Sequence, residues 1–292
     1  MRKERLGEME VVRVLTYNVC FGCMSGSEED KSALPLAMRC AKSGGESSPN
    51  GCLLQVAHNI DKAGSICGGL DLIGLQEASA WKALQAKSRE LGQKTSVAVK
   101  VGKEELVLFV GSRYLIQWDG EGEVSGRPLQ VVLLEDVRCG GYAVVVHFHN
   151  NHKEKGTSEI LQQSIANVKD IGWALNVARD CTVICMGDWN DSLKARRGFK
   201  PFLKCTCSPE TAMIGVSAAL TLPRTCCSTD FYDKNMKFTS DYVLSNRWCK
   251  NEVPTSLLVD MMLHDASDHY AVLATIGRKD VSHPLFHLLS DV

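Results

Sequence analysis

The stretch Cys181-Thr182-Val183-Ile184-Cys185-Met186-Gly187-Asp188-Trp189-Asn190 is apolar and β-rich up to Gly187 and polar beyond it. A short apolar run bounded by a glycine fits a strand buried on both faces, and its end delivers Asp188 and Asn190 to the rim of a sheet. Two residues apart on one strand end, these two side chains are expected on the same side. The pattern recurs upstream, where Val11-Val12-Arg13-Val14-Leu15-Thr16-Tyr17-Asn18 ends in an amide and Asp71-Leu72-Ile73-Gly74-Leu75-Gln76-Glu77 ends in an acid. Between them, beyond a Ser/Gly/Pro-rich loop, Cys52 to Ile60 has helical spacing. Strand, helix, strand predicts a parallel pair.

Farther out, Thr95 to Val101, Glu105 to Val110, Leu129 to Leu134 and Tyr142 to His149 are short β-rich runs separated by Gly and charged turns, which predicts hairpins. Ser158 to Val177 reads as one amphipathic helix, and Tyr242 to Ser245 and Tyr270 to Ile276 as further strands. Mixed strands with helices between some of them predict a four-layered α/β sandwich, two mixed β-sheets packed face to face and flanked by helices. With no internal repeat and no linker, the chain is expected to form a single domain over 1–292, its core about 11–276 and its C-terminal tail 277–292.

With 292 residues, 45% of them hydrophobic, the chain can bury a large core. Lys+Arg 33 against Asp+Glu 34 gives a net charge of −1, which excludes a global field drawing the protein to nucleic acid or to an anionic membrane. Any such attraction must be local. Met1 to Glu8 has no apolar signal core behind it, and no run approaches the roughly 18 apolar residues of a membrane span. The expected home is intracellular and soluble, in cytoplasm or nucleus. The 13 cysteines are an odd number, and Cys181 and Cys185 lie in a predicted strand, which fits reduced thiols packed as small hydrophobes. Cys20 with Cys23, and Cys205 and Cys207 with Cys226 and Cys227, lack the spacing of a structural zinc site.

Six polar signals end or enter strands along the chain: Tyr17-Asn18, Leu75-Gln76-Glu77, His147-Phe148-His149, Gly187-Asp188-Trp189-Asn190, Ser240-Asp241-Tyr242 and Ser267-Asp268-His269. Hydrolysing a phosphate ester needs a hard divalent cation on oxygen ligands, an activated water and donors for the developing charge. Glu77 is the best candidate metal ligand, a carboxylate fixed by a strand end. Asn18 can orient groups around the metal and donate to phosphate, although turn capping is its bland alternative.

In order and form these signals resemble the endonuclease/exonuclease/phosphatase superfamily, over about Val11 to Ile276. The resemblance implies Mg²⁺ as cofactor, with Mn²⁺ as a substitute, held by Glu77, Asn18 and, for a second metal or for ordering its loop, Asp268. It implies that Asp188 and Asn190 orient water and hold a phosphoryl oxygen. His269 is then general base or phosphate contact, oriented by Asp241. His147 stands in the place of the family's His-Leu element, as transition-state donor, with His149 as the competing register and His147 favoured. Arg127, opening a strand in Gly126-Arg127-Pro128-Leu129, resembles the family's phosphate-proximal arginine.

Two places depart from the pattern. Cys20 stands where apurinic endonucleases carry an acid, and Phe238-Thr239-Ser240-Asp241-Tyr242 replaces the Trp-Cys-Asp-Arg element of inositol 5-phosphatases, which counts against an inositide. Leu193 to Lys204 interleaves Lys194, Arg196, Arg197, Lys200 and Lys204 with Phe199 and Phe202 and contains no acid. Beside a phosphate site, Arg196, Arg197 and Lys200 could track a polynucleotide backbone while an aromatic ring stacks on a base; a solvated face over two core phenylalanines explains the same composition. The expected function is a Mg²⁺-dependent phosphodiesterase or nuclease acting on nucleic acid. The alternatives are a phosphoesterase for a small molecule or lipid headgroup, of inositol phosphate or sphingomyelin type, and a non-catalytic binding protein.

Overall fold

The computed structural model describes residues 12–20, 51–151, 157–177, 182–190, 214–215, 241–245, 256–258 and 271–276. In chain order the elements are β1 (Val12–Asn18), α1 (Gly51–Cys67), β2 (Leu72–Gln76), α2 (Trp81–Lys87), α3 (Arg89–Gly92), β3 (Thr95–Val101), β4 (Glu104–Val110), β5 (Tyr114–Val124) and β6 (Arg127–Asp136). There follow β7 (Gly141–His149), α4 (Thr157–Ala166), α5 (Ile171–Val177), β8 (Thr182–Asp188), β9 (Ile214–Gly215), β10 (Asp241–Ser245), β11 (Ser256–Leu258) and β12 (Val272–Ile276).

One six-stranded sheet has the order β11-β12-β1-β2-β4-β3, the other β5-β6-β7-β8-β10-β9. Strands β1 and β2 run parallel, as the strand, helix, strand pattern predicts, and so do β7 and β8. The remaining neighbours are antiparallel.

The apolar sequence of the central strands follows from burial on both faces. On β1, Leu15 and Tyr17 pack with Leu53, Val56, Ala57, Ile60 and Ala63 of α1, whose i, i+3, i+4 spacing makes one apolar stripe. The alternate residues Val12 and Val14 turn inward, where they join Leu72, Leu108 and Val110 against Val132, Leu134, Val145, Ile184 and Met186 of the second sheet. Beyond that sheet Val131, Val144, Val146 and Cys185 pack on Leu161, Ile165 and Ala174 of α4 and α5. Helices, sheet, sheet, helices are the four layers expected.

Two glycines set close approaches. A Cβ on Gly74 would lie 2.6 Å from Met186 Sδ and 3.0 Å from His147 Nε2, so a side chain here would have to displace Met186 and crowd His147 between the sheets. Gly187 has φ 143°, and a Cβ there would run into the Phe148 carbonyl oxygen, so β7 and β8 meet only around a glycine.

Three readings change. The single helix over Ser158 to Val177 is two, α4 and α5, separated by a turn in which Asp170 adopts φ 59°. Strand β5 is absent from the sequence reading because it is an edge strand, exposed at alternate positions, interrupted by Gly120 and Gly122 and irregular between Ile116 and Trp118. Cys20, Cys67, Cys139 and Cys185 are not in disulfides, but Cys52 is disulfide-bonded, contrary to a wholly reduced set.

Candidate active site

The strand directions bring one end of both sheets together. β1, β2, β7 and β8 finish at this end; β4, β6, β10 and β12 run antiparallel to their neighbours and start there. Asn18, Glu77, Glu104, Arg127, His149 and Asp188 therefore share one rim. Asp241 begins β10 in register with Asp188, and β12 enters opposite β1 with Val272 on Thr16.

Asn18 is buried between two carboxylates. Its Nδ2 donates to Glu77 Oε1 at 3.3 Å and to Asp188 Oδ2 at 3.2 Å, while its Oδ1 accepts the Cys20 N–H at 3.1 Å. Asn18, expected among the metal ligands, turns its N–H groups toward the two acids and ties Glu77 to Asp188. Glu77 itself leaves β2 in the left-handed region at φ 58°, which swings its half-buried carboxylate out of the strand's alternation.

His149, the register the sequence reading ranked second, is the histidine in this cluster. Its Nε2 is 3.4 Å from Asp188 Oδ2 and 3.8 Å from Glu77 Oε1, and its Nδ1 is 3.1 Å from Glu104 Oε2. Burial alone would lower its pKa; hydrogen bonds to Asp188 and Glu104 and the charges of Asp188 and Glu77 outweigh burial and raise it to about 9. Glu104 shows the reciprocal balance, lowered despite its burial by His149 and Arg127. Arg127 Nη1 reaches Glu104 Oε1 at 3.0 Å and approaches both ring nitrogens of His149, at 2.9 and 2.6 Å. With both ring nitrogens facing carboxylates, Glu104 is the partner that accepts from Arg127.

His147 lies one pleat deeper. It is wholly buried, its Nε2 is 2.7 Å from Gln76 Nε2, and burial followed by the charge of His149 pushes its pKa down to about 3. Strand alternation puts both histidines on the inward face, but only residue 149 reaches the rim.

Asn190 departs from the strand-alternation expectation. β8 ends at Asp188, and Asn190 lies beyond it at φ 47°. Its N–H donates to Asp188 Oδ1 at 2.9 Å and its Nδ2 to the Asn150 carbonyl at 2.7 Å. Asn150, buried, returns its own N–H to Asp188 O at 2.8 Å and its Nδ2 to Trp189 O at 3.2 Å, while the Trp189 ring packs edge-on against Phe148 with centroids 4.8 Å apart.

Glu104 and Asn150 were missed by sequence reasoning. For Glu104 a signal existed: it is in phase with Leu106, Leu108 and Val110, making it an acid on the inward face of an apolar strand. His269, Asp268, Arg196, Arg197, Lys200, His152 and the Asp241 side chain lie outside the described residues.

The donor set suits a hard cation in a limited way. Glu77 and Asp188 offer carboxylate oxygens bridged by one amide, yet no group of three His, Cys, Asp or Glu side chains converges on a point among the described residues. Such a rim fits Mg²⁺, which binds through one or two carboxylates and keeps several waters, and does not fit an all-protein cage.

The fold is shared with solved structures that match nearly end to end, among them endonuclease/exonuclease/phosphatase proteins. The chain is similar to the TDP2 of D. rerio complexed with single strand DNA product, with TM-score 0.59 and 14% identity over 92% of this chain and 99% of that one. It is similar to an endonuclease/exonuclease/phosphatase from Bacteroides vulgatus, with TM-score 0.59 and 14% identity over 92% and 100%. The human Nocturnin catalytic domain with bound sulfate matches with TM-score 0.56 and 12% identity over 92% and 94%. No family model and no curated protein matches the sequence. Among the described residues no helix is long and apolar enough to cross a membrane.

Proposed function

We propose that this protein is a metal-dependent phosphodiesterase that hydrolyses nucleic acid in one step, with water as nucleophile, from a single domain over 1–292 whose core is about 11–276. The observation that carries the reading is the array Glu77, Asn18, Asp188, His149 and Glu104 on one rim, two carboxylates tied by an amide and an imidazole held between acids. A binding module has no need of an acid-flanked imidazole. Nucleic acid is favoured by the acid-free basic and aromatic stretch Leu193 to Lys204 that follows Asn190 in sequence.

Glu77 would hold a hard divalent cation, which when bound supplies Lewis-acid polarisation of the phosphoryl group. Asp188, fixed through Oδ1 by the Asn190 N–H and through Oδ2 by Asn18, orients the attacking water and takes its proton. His149, kept in place by Glu104, donates to the phosphoryl or leaving oxygen, and Arg127 steadies Glu104. We assign this role to His149 in place of His147, which Gln76 holds beneath the rim. His269 with Asp241, and Asp268, complete the proposed site, and Arg196, Arg197 and Lys200 the proposed strand-binding surface.

The test is hydrolysis of single- and double-stranded DNA, RNA and inositol phosphates across a Mg²⁺ titration. Glu77→Ala and His149→Ala should each reduce polynucleotide cleavage by at least about 10²-fold with the fold retained. Full activity in either variant, or faster turnover of inositol phosphates than of polynucleotide, overturns the assignment.

A further inference from the structure

Directly beneath the rim the two sheets meet through polar side chains. Gln76, Gln130 and His147 are each 0% exposed. His147 and Gln130 are register partners on β7 and β6, and, two residues from Val145 and Val132, they share with them the face toward the space between the sheets. Gln76 Nε2 lies 3.0 Å from Thr16 Oγ1, 3.1 Å from the Gly74 carbonyl and 2.7 Å from His147 Nε2. The Gly74 carbonyl can only accept, so the nitrogen of the Gln76 amide must be the atom facing it. His147 Nε2 is then an acceptor, and the hydrogen of the neutral imidazole sits on Nδ1.

Four atoms of this trio have no hydrogen-bond partner in the protein: Gln76 Oε1, Gln130 Oε1, Gln130 Nε2 and His147 Nδ1. Left unmet, their combined desolvation penalty would rival the whole stability of a domain. They must therefore be met by something else. The set is mixed, with N–H groups on His147 and Gln130 and bare carbonyl oxygens on Gln76 and Gln130. A cation would face the N–H groups and an anion the carbonyls, and none of the three side chains carries a compensating charge. A molecule that donates and accepts at once satisfies both kinds.

We propose that Gln76, Gln130 and His147 form a binding site for internal water between the sheets, in which water accepts from His147 Nδ1 and Gln130 Nε2 and donates to the two glutamine oxygens. The water completes a polar tie across β1, β2, β6 and β7 under Asn18, Glu77 and His149. The site is independent of the substrate and of the chemistry at the rim.

A crystal structure at high resolution and water-¹⁷O magnetic relaxation dispersion test this on the intact protein. The expected result is solvent density within hydrogen-bond distance of His147 Nδ1 and Gln130, with at least one long-lived water lost from the dispersion amplitude in Gln130→Leu. Because that variant strips the water of two partners and with it His147 Nδ1 of the water, its unfolding constant should rise at least tenfold. A direct Gln130–His147 hydrogen bond with no solvent density beside it overturns the proposal. So does a Gln130→Leu protein that is more stable than the parent with unchanged dispersion amplitude, the behaviour of a dry layer. If Gln130→Leu does not fold, the parent's density decides.

Discussion

Replacing His147 by glutamine should change how the protein responds to acid. In the folded chain His147 is fully buried and its pKa is about 3, against 6.5 for the ordinary side chain, with burial the main cause and His149 the second. Between pH 6.5 and about 3 the unfolded chain therefore takes up a proton at this residue that the folded chain refuses, and stability falls as pH falls. The whole shift corresponds to about 5 kcal/mol, of which about 2 kcal/mol is lost between pH 7 and pH 5. Glutamine does not titrate and can still meet the Gln76 amide, so His147→Gln should lack this loss. His149, with its pKa raised to about 9, contributes stability that is complete below 6.5 and fades as pH rises toward 9. It is present in both proteins and cancels in the comparison. Urea unfolding at pH 7, 6 and 5 measures the difference: the parent should lose about 2 kcal/mol more than the variant. Parallel pH profiles would mean that residue 147 takes up a proton in the folded protein as readily as in the unfolded chain, and the buried, neutral assignment would fall.

Two further perturbations probe separate parts of the molecule. Glu104→Gln keeps the shape of the partner of His149 and removes its charge, so kcat on a polynucleotide should fall by roughly 10²-fold, and an unchanged kcat removes Glu104 from the site. Arg113→Ala strips the buried Asp136 of a partner 2.7 Å away at the end of β6 far from the rim, and should cost about 3–5 kcal/mol in urea unfolding with little change in KM; a cost below about 1 kcal/mol would show that water replaces the guanidinium.

What could be read from the sequence and what could not divide along physical lines. The central strands were legible because burial on both faces demands uninterrupted apolar residues, as in Val183 to Met186, and their polar ends stood out against that background. The edge strand β5 escaped because an edge has no such demand: its acids and glycines read as turn. The choice between His147 and His149 was open because a strand puts residues two apart on one face, and which of them reaches the rim depends on where the strand stops. Glu104 fell in with its neighbour Glu105, yet Glu105 faces the helices and accepts from Trp81 Nε1 at 2.7 Å while Glu104 faces His149. A one-residue difference in phase separates a structural acid from a proposed functional one.

The ends of β1 and β8 are built alike, and this explains how a buried acid and a buried amide come to face one another. Asn18 closes its turn by accepting the Cys20 N–H on Oδ1, and Asp188 does the same for the Asn190 N–H; Cys20 and Asn190 are both left-handed, at φ 61° and 47°. Each side chain spends one oxygen on its own turn and turns its other terminal atom to the partner sheet, where Asn18 Nδ2 meets Asp188 Oδ2 at 3.2 Å. The two tasks of Asp188 can therefore be separated. Asp188→Asn keeps an oxygen for the turn but sets an NH₂ against the Asn18 amide nitrogen and the His149 ring, so cleavage should fall by at least about 10²-fold and the lost acceptor should cost stability, while the turn keeps its own acceptor. Asp188→Ala removes both functions and should lose stability as well, because the Asn190 N–H is left without its acceptor in a strained backbone. Equal stability of the Ala and Asn variants in urea would show that the turn does not depend on Oδ1, and the shared construction of the two strand ends would then explain nothing about the site.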